Sequence, residues 1–522
     1  MAETDDDKKN LRLMRPRILL ILLGLLSLTL YLALWHISYE FNWGQGYRDR
    51  PILLYLAIYF SLFAAYAGAV WIIWKHSGDA RLFWTLVALG LLFRAAILPA
   101  QQIQEDDVYR YLWDGKVFAH SVNPYKFSPM EVTRLKEFLI QDPEGFERRY
   151  DPQSIAELSR LYDLKWESPE SLVYQERINH PQVATLYPPL AQFVFRLAHH
   201  IRPDSIITLR LLFLGFDGVA LMFIVWTLAA LNINRLWAMV YFWCPLIIKE
   251  TFNSTHLDII GIAMLCGMLF FVVKQRFFAA NALLALSVVG KLYPAILLPL
   301  LIKQQWQKTD SSIQNPWLRC GLSVLLFGGM VYLFYLPFIE IGAQNFSGLQ
   351  EFATRWQQND SLFALLVGFF GLFVESAGPV PLSYDLPSLF AKITVALLLG
   401  AAMLYLLFWR KQDHQPEPRA VLEPFFIIMA LVFLLSPVQN PWYLCWLGPF
   451  LCIFPWRAGI LLTGLVGLYY LDFYFDYQDI PHYSAWIPWI EFTPFYLFLG
   501  WEFQKLKFDK RQDEDGDEQH DG

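Results

Sequence analysis

Long apolar runs recur along the chain and set the main limit on its fold. Segments 18–35, 52–74, 82–98, 205–231 and 389–409 come close to or exceed the ~20 apolar residues that cross a bilayer as a helix. The composition agrees, because 56% of the residues are hydrophobic and 17% are charged. A soluble protein of this size cannot bury that much apolar surface. We therefore predict an all-α, polytopic integral membrane protein with roughly 11–14 transmembrane helices and a large first external loop.

Basic residues indicate which side of the membrane each segment faces. Lys and Arg are concentrated in 1–17, before the first span, so the positive-inside rule places this N-terminal tail in the cytoplasm. Three spans follow, and the polar loop 100–186, in which we expect short helices, then opens on the extracytoplasmic side. Residues 18–503 are predicted to form one transmembrane domain, and 504–522 is predicted to be an acidic cytoplasmic tail.

The external loop opens with three adjacent carboxylates, Glu105, Asp106 and Asp107. A carboxylate at mid-bilayer costs about 2.5–3.5 kcal/mol on insertion scales and less near the interface, so acids at a membrane exit are presumed functional. If the segment is helical, Asp107, Arg110 and Asp114 share one face by their i, i+3, i+7 spacing. The alternative is an amphipathic surface helix with an ordinary ion pair.

Counting crossings brings a second polar group to the same side. Four apolar segments lie between the external loop and the basic turn 274–276: 187–201, 205–231, 236–252 and 255–273. An odd number of them must cross, and the short 187–201 is the one expected to lie in the interface or re-enter. The external side then carries Glu250, His256 and Asp258. His256 and Asp258 could instead simply cap the helix that begins near them.

A third group comes from interrupted apolar segments. The stretch 277–302 is broken around Lys291, and its basic flanks indicate a hairpin whose tip brings Lys291 near the external face. Broken helices are tolerated where they line a polar cavity, although this lysine could also snorkel to the interface. Tyr187, before two prolines, and the Trp442-Tyr443 corner are further external breaks, which could be aromatic anchors alone.

Together these groups suggest sugar-phosphate chemistry. Carboxylates supply a general base, and Lys, Arg and His supply positive charge for a phosphate. Aromatic side chains offer apolar faces on which a sugar ring can stack. ATP and nucleotide sugars are absent outside the cytoplasm, so a lipid-linked donor fits this side of the membrane, and nothing in the sequence indicates nucleic acid.

This arrangement resembles the GT-C glycosyltransferases, multi-span enzymes with a catalytic acid in the first large external loop. Within them it is most similar to mannosyltransferases that use a polyprenyl-phosphate sugar, including the catalytic subunit of GPI mannosyltransferase I and its bacterial relatives. The resemblance covers roughly residues 80–460 and rests on the order of its motifs. Those motifs are Glu105-Asp106-Asp107 through Trp113-Asp114-Gly115, Asn123-Pro124-Tyr125, Tyr187-Pro188-Pro189-Leu190, Lys249-Glu250, His256-Leu257-Asp258, Lys291-Leu292-Tyr293-Pro294 and Pro441-Trp442-Tyr443.

The resemblance implies an inverting transfer of a hexose, mannose first, from a polyprenyl-phosphate donor to an extracytoplasmic glycan, lipid or protein acceptor. The setting would be a bacterial plasma membrane. The expected catalytic residues are Asp107 as general base, then Asp106 and Glu105. The expected substrate-binding residues are Arg110, Asp114, Tyr187, Glu250, His256, Asp258, Lys291, Trp442 and Tyr443.

Adjacent acids depart from the spaced Asp-x-Asp of the family, which leaves a divalent metal at Asp106 and Asp107 an open question. A transporter or flippase of a lipid-linked or anionic solute is the alternative function, because broken helices with intramembrane Lys and His occur there too. The chain shows no inverted repeat that would favour transport. A non-catalytic scaffold subunit is a third interpretation, which would not need the external acids.

Overall fold

The prediction of an all-α protein is confirmed by the structure, a computed structural model. It is 81% helical. Its described residues are 5–41, 46–75, 80–308, 313–374, 386–410 and 417–520. Within these ranges the one β-type pairing is an isolated bridge between Gln358 and Val438.

Within the described ranges, six helical segments are long and apolar enough to cross a membrane. They are Pro16–Phe41, Tyr47–Lys75, Ile206–Ala230, Pro316–Gly342, Leu386–Trp409 and Arg457–Tyr477. Six shorter apolar helices of 10–17 residues accompany them, including Leu82–Ile97, Asp258–Val273 and Phe277–Gly290. A polytopic membrane protein is thus confirmed, and many of its apolar helices are shorter than a full span.

The N-terminal part is a group of three long helices. These are α1 (Asp5–Ser38), α2 (Ile52–Lys75) and α3 (Ala80–Ile97). Helix α1 packs against both α2 and α3. The linker between α1 and α2 therefore lies at the same end of the group as the residues that follow α3.

The segment after α3 consists of short helices, as the sequence predicts for 100–186. They are α4 (Asp107–Ala119), α5 (Pro129–Thr133), α6 (Leu135–Gln141), α7 (Pro143–Arg149), α8 (Pro152–Leu164) and α9 (Pro169–Glu176). Four of them start with the same device, a Ser or Asp cap followed by proline. Ser128, Asp142, Asp151 and Ser168 each accept a hydrogen bond from a backbone N–H in the first turn. Proline suits the first helical position, whose N–H has no intrahelical partner.

The middle of the chain forms the densest part of the protein. It contains α10 (Pro189–Ile201), α11 (Ile206–Ala230), α12 (Met239–Phe242), α13 (Pro245–Ile248), α14 (Asp258–Val273), α15 (Phe277–Gly290) and α16 (Leu298–Gln307). The apolar segment 236–252 is not one span, because Pro245 and a π-helical turn at Lys249–Asn253 divide it. The predicted break near Lys291 is present, since α15 ends at Gly290 and a 3₁₀ turn follows.

The C-terminal part completes the bundle. It contains α17 (Pro316–Tyr335), α18 (Ser347–Arg355), α19 (Leu362–Gly371), α20 (Leu386–Leu404), α21 (Glu423–Leu435), α22 (Pro441–Leu444), α23 (Gly448–Ile453), α24 (Arg457–Leu465), α25 (Leu471–Tyr477) and α26 (Ile487–His520). Helices α17 and α20 bury little of their apolar surface within the protein. Such surface is stable only against lipid, so these helices face the bilayer.

A buried ion pair ties α3 to α11. Arg94 Nε lies 2.6 Å from Asp217 Oδ2, and both side chains are fully buried. The guanidinium also donates to the Phe242 carbonyl at 2.7 Å, and Tyr241 Oη donates to Asp217 at 2.9 Å. Charges inside a membrane protein are tolerated when they are paired in this way. The pair fixes the end of α3, from which the acidic segment emerges.

Candidate active site

The three adjacent acids at the start of α4 line one cavity. It measures about 440 Å³, and its wall includes Glu105, Asp106 and Asp107. The backbone leaves helical geometry after Ile97, with Gln104 at a φ of 71°, and becomes helical again at Asp107. The acids therefore occupy the turn into α4.

Asp106 and Asp107 converge on one amide. Asn179 Nδ2 donates to Oδ1 of both carboxylates, at 2.7 Å in each case. Tyr111 Oη, one turn along α4, donates to Asp107 Oδ2 at 3.4 Å. The Asp107 carboxylate is thus held from two sides, with its plane fixed before any substrate arrives.

The three acids have different pKa values because their surroundings differ. Burial raises the pKa of Asp106 to about 7, with the charge of Asp107 as the second cause. Burial also raises the pKa of Glu105 well above its usual range. Burial acts to raise the pKa of Asp107 too, but His256, Asn179 and Lys291 outweigh it, so that this pKa is lowered. Asp107 is therefore the carboxylate that is ionised at neutral pH, as a general base must be.

A histidine connects Asp107 to a second, deeper carboxylate. His256 Nδ1 lies 3.5 Å from Asp107 Oδ2, and its Nε2 lies 3.4 Å from Glu250 Oε2. Glu250 is buried, accepts from Tyr470 Oη at 2.9 Å and lies 3.3 Å from Lys249 Nζ. The predicted substrate ligands Glu250 and His256 thus lie behind Asp107, in a position to orient it.

Asp258 and Lys291 form an ion pair on the cavity wall. Lys291 Nζ lies 2.7 and 2.8 Å from the two Asp258 oxygens, and Trp446 Nε1 donates to Oδ1 at 2.6 Å. The Asp258 side chain does not cap α14, so the capping alternative is wrong for this residue. Lys291 Nζ also lies 4.3 Å from the centroid of the Tyr443 ring, so its charge faces protein groups.

The predicted aromatic residues reach the same space. Tyr187, Trp442 and Tyr443 all line the cavity. The Trp442 ring stacks on His256 with 4.0 Å between centroids and 19° between planes. These rings present apolar faces beside Asp107, as binding of a sugar ring requires.

Arg110 and Asp114 do not lie where the sequence analysis places them, among the substrate-binding residues of the cavity. Neither lines the main cavity. They pair with each other at 2.8 Å in the interior, Gln192 of α10 donates to Asp114 at 3.2 Å, and Arg110 donates to the Val183 carbonyl at 3.0 Å. Asp114 lies two turns along α4, about 10 Å from Asp107 by helical rise, where α4 packs against α10. These contacts hold the loop that carries Asn179 against α4.

Several cavity residues were missed by sequence reasoning. They are Tyr47, Arg50, Arg177, Asn179, His180, Trp356, Gln358, Tyr469 and Tyr477. Tyr47 and Arg50 come from the linker between α1 and α2, and Tyr477 comes from the end of α25. Topology was the signal that could have found them, since the predicted crossings place the linker on the same external side as the acids.

The residues present do not favour a metal between the two aspartates. Among the described residues no group of three or more His, Cys, Asp or Glu side chains has the spacing of a metal site. The position between the facing oxygens of Asp106 and Asp107 holds the Asn179 amide. We therefore derive no step through a metal.

The comparisons with known proteins bear on the middle of the chain. The sequence model of Glycosyltransferase family 87 matches residues 185–437, just under half of the chain. The matched part includes Tyr187, Glu250, His256, Asp258 and Lys291, while the acids of the external loop precede it. No curated protein and no solved structure matched the chain. The match to Glycosyltransferase family 87, on a bundle of apolar helices, supports a glycosyltransferase that sits in a membrane and uses a sugar donor and an acceptor.

Proposed function

We propose that this protein is a GT-C-type hexosyltransferase of the bacterial plasma membrane. It transfers a hexose, with mannose the first to test, from a polyprenyl-phosphate donor to an extracytoplasmic glycan, lipid or protein acceptor. The family match supports the transferase class. The donor class rests on the positive-inside rule, which predicts that the cavity opens on the extracytoplasmic side, where nucleotide sugars are absent.

Asp107 is the general base in this proposal. Its carboxylate takes the proton of the acceptor hydroxyl while that oxygen attacks the anomeric carbon of the sugar. The bond from this carbon to the phosphate oxygen breaks, and the electron pair leaves with the polyprenyl phosphate. One glycosidic bond replaces one phosphoester bond, and the configuration at the anomeric carbon inverts.

The hydrogen bonds around Asp107 fit this role. Asn179 holds Oδ1 and Tyr111 holds Oδ2, so the carboxylate does not need to reorganise during the reaction. Prealignment of this kind is a main source of enzymatic rate. The proton taken up by Asp107 is close to His256, whose ring faces Glu250 on its far side.

Aromatic and polar groups on the wall are placed to hold the sugar. Trp442, Tyr443 and Tyr187 supply ring faces, and the paired Asp258 and Lys291 offer acceptors and donors for sugar hydroxyls. Because Asp258 already neutralises Lys291, this lysine is a weak candidate for the charge of the leaving phosphate. A cation without such a partner is better suited to that task.

One observation carries the proposal: an ionised, pre-oriented aspartate faces a cavity of about 440 Å³ walled by aromatic rings and cations. The test is to incubate the purified protein in lipid nanodiscs with a panel of radiolabelled polyprenyl-phosphate hexoses and membrane lipids. Label that moves from the donor into a new glycosidic product supports the proposal. Label that crosses sealed vesicles without a covalent change would instead favour the transporter alternative.

Asp107→Asn is the decisive variant in that assay. Loss of the base is expected to lower the turnover number about 10³-fold, with expression and membrane insertion unchanged. Asp476→Asn is the matched control, because Asp476 is exposed on α25 and does not line the cavity. Retained turnover in Asp107→Asn would remove this residue from the mechanism.

A further inference from the structure

Arg50 brings a positive charge to the cavity from outside the region that matches the family. It directly follows the 3₁₀ turn Tyr47–Asp49 in the linker between α1 and α2, and its side chain lines the same cavity as Asp107. No motif singles it out. The N-terminal helix pair, which had no evident role in the sequence, thus contributes to the wall of the site.

The guanidinium of Arg50 is held in a fixed position by neutral groups. Nη1 donates to Gln104 Oε1 at 2.9 Å and to Tyr477 Oη at 3.4 Å. Its central carbon lies 4.5 Å from the centroid of the Tyr47 ring and 5.6 Å from that of Tyr477. Aromatic faces attract a guanidinium and restrict its motion without neutralising its charge.

Among the described residues no carboxylate forms an ion pair with Arg50, and its Nε is buried without a hydrogen-bond acceptor. Two lysines at or near the site differ in this respect, since Lys291 pairs with Asp258 and Lys249 with Glu250. A half-buried guanidinium with an unused donor and no paired carboxylate is suited to bind an anion.

The chemistry of the unused donors indicates which anion. A guanidinium presents parallel N–H groups that match two oxygens of a phosphate, and charge-assisted bonds of this type are about twice as strong as neutral ones. Arg50 also interacts electrostatically with the carboxyl group of Asp106. Burial raises the pKa of Asp106, and the positive charge of Arg50 acts in the opposite direction with a smaller effect. Since that pKa is about 7, Asp106 is neutral at moderately acidic pH and does not then repel an anion.

We propose that Arg50 binds the phosphate of the polyprenyl-phosphate donor, in a box formed with Tyr47, Gln104 and Tyr477. This inference rests on the proposed function and adds to it a phosphate site supplied by the N-terminal helix pair. Arg50 would hold the phosphate before and after the sugar leaves, so it binds the lipid phosphate product as well as the donor. That property allows binding to be tested without turnover.

The test measures the preference of the full-length protein for a prenyl phosphate over the matching alcohol. Purified protein in detergent is titrated with geranylgeranyl phosphate and with geranylgeraniol, and binding is followed by thermophoresis. We expect the wild type to prefer the phosphate about 30-fold, as two charge-assisted bonds would give. Arg50→Gln should reduce this preference to about 3-fold or less, whereas affinity for the alcohol should not change.

Arg48→Gln is the matched control. Arg48 is in the same turn, is exposed and pairs with Asp479, so its removal changes the same net charge without touching the cavity. The control should keep the wild-type preference. An equal loss in Arg48→Gln and Arg50→Gln would show a general charge effect and overturn the assignment.

Two further outcomes separate this inference from the proposed function. A phosphate preference that persists in Arg50→Gln would overturn the Arg50 site while leaving the donor class intact. A wild type without any preference would reject the phosphate donor itself, and the transfer assay on the same preparation then tests the glycosyltransferase separately.

Arg50→Lys covers the case in which Arg50→Gln does not fold. It keeps the charge but not the paired donors, so the preference for the phosphate over the alcohol should fall about 5-fold. A preference equal to that of the wild type would contradict the phosphate site formed by Arg50, Tyr47, Gln104 and Tyr477.

Discussion

His256 Nδ1 lies 3.5 Å from Asp107 Oδ2, and the opposite nitrogen of the same ring lies 3.4 Å from Glu250 Oε2. The imidazole ring thus lies between two carboxylates, with one nitrogen facing each of them. It is buried and stacked on Trp442. The histidine that follows the π-helical turn is therefore placed to influence the proposed base, Asp107.

Replacing His256 should change the pH dependence of the reaction as well as its rate. His256→Phe keeps a ring against Trp442 and removes both nitrogens. Burial raises the pKa of Asp107, and without the two nitrogens this effect is less opposed. The pKa therefore rises, and as the pH is lowered Asp107 becomes protonated at a higher pH than in the wild type. We expect kcat to fall about 10²-fold and the acid limb of the kcat profile to move to higher pH.

The control for His256 is Glu250→Gln, which removes the second carboxylate and leaves the ring in place. It should give a smaller loss of kcat, and Glu250→Gln combined with His256→Phe should be no worse than His256→Phe alone, because the two act through one contact. An unchanged pH profile in His256→Phe, with kcat lowered, would assign this histidine to packing alone.

Asn179 should matter because both aspartates depend on it. In Asn179→Ala the two carboxylates lose the amide that lies between them. Hydrogen bonds from Asn179 lower the pKa of both acids, so both values should rise. We expect kcat/KM to fall about tenfold at neutral pH because the base is held less firmly, and the acid limb of the profile to move to higher pH. Loss of activity that is equal at every pH would contradict this electrostatic role.

Substitution of Arg110 or Asp114 should lower the stability of the fold, whereas substitution of Asp107 should lower the rate of the reaction. Removing one partner of a buried pair leaves an uncompensated charge and costs about 3–5 kcal/mol. Asp114→Ala should therefore lower the thermal unfolding midpoint of the protein in detergent, measured by intrinsic tryptophan fluorescence. Asp107→Asn should leave that midpoint near the wild-type value. A fully stable Asp114→Ala without activity would return this residue to the active site.

The sequence allowed the fold class and part of the site to be predicted, and α4 shows where prediction ended. The spacing of Asp107, Arg110 and Asp114 correctly indicated one helix face. It could not indicate that the axis of α4 leads away from the cavity, so that Asp114 meets Gln192 of α10 instead. Which face of a short helix meets which neighbour is set by tertiary packing, about which the periodicity of one helix carries no information.

Long-range neighbours were the other limit. Asp107, His256 and Trp442 are far apart in sequence, and counting membrane crossings was enough to bring them to one side. Arg50 and Tyr477 needed more, because Arg50 comes from a linker and Tyr477 from the end of α25, and neither residue belongs to a motif. Their part in the cavity depends on contacts between distant helices, such as Arg50 with Tyr477, which no local pattern encodes.

Asp106 should set the alkaline limit of donor use. Its pKa of about 7 is raised first by burial and then by the charge of Asp107, so it is neutral below pH 7 and negative above. An ionised Asp106 on the cavity wall repels an anionic donor, and kcat/KM for the donor should fall as pH rises from 6 to 8. Asp106→Asn is neutral at every pH and should lose this alkaline limb while keeping at least about a tenth of the activity at pH 6. If the limb persists in Asp106→Asn, another group titrates there; if activity vanishes at all pH values, Asp106 has a part in the chemistry itself.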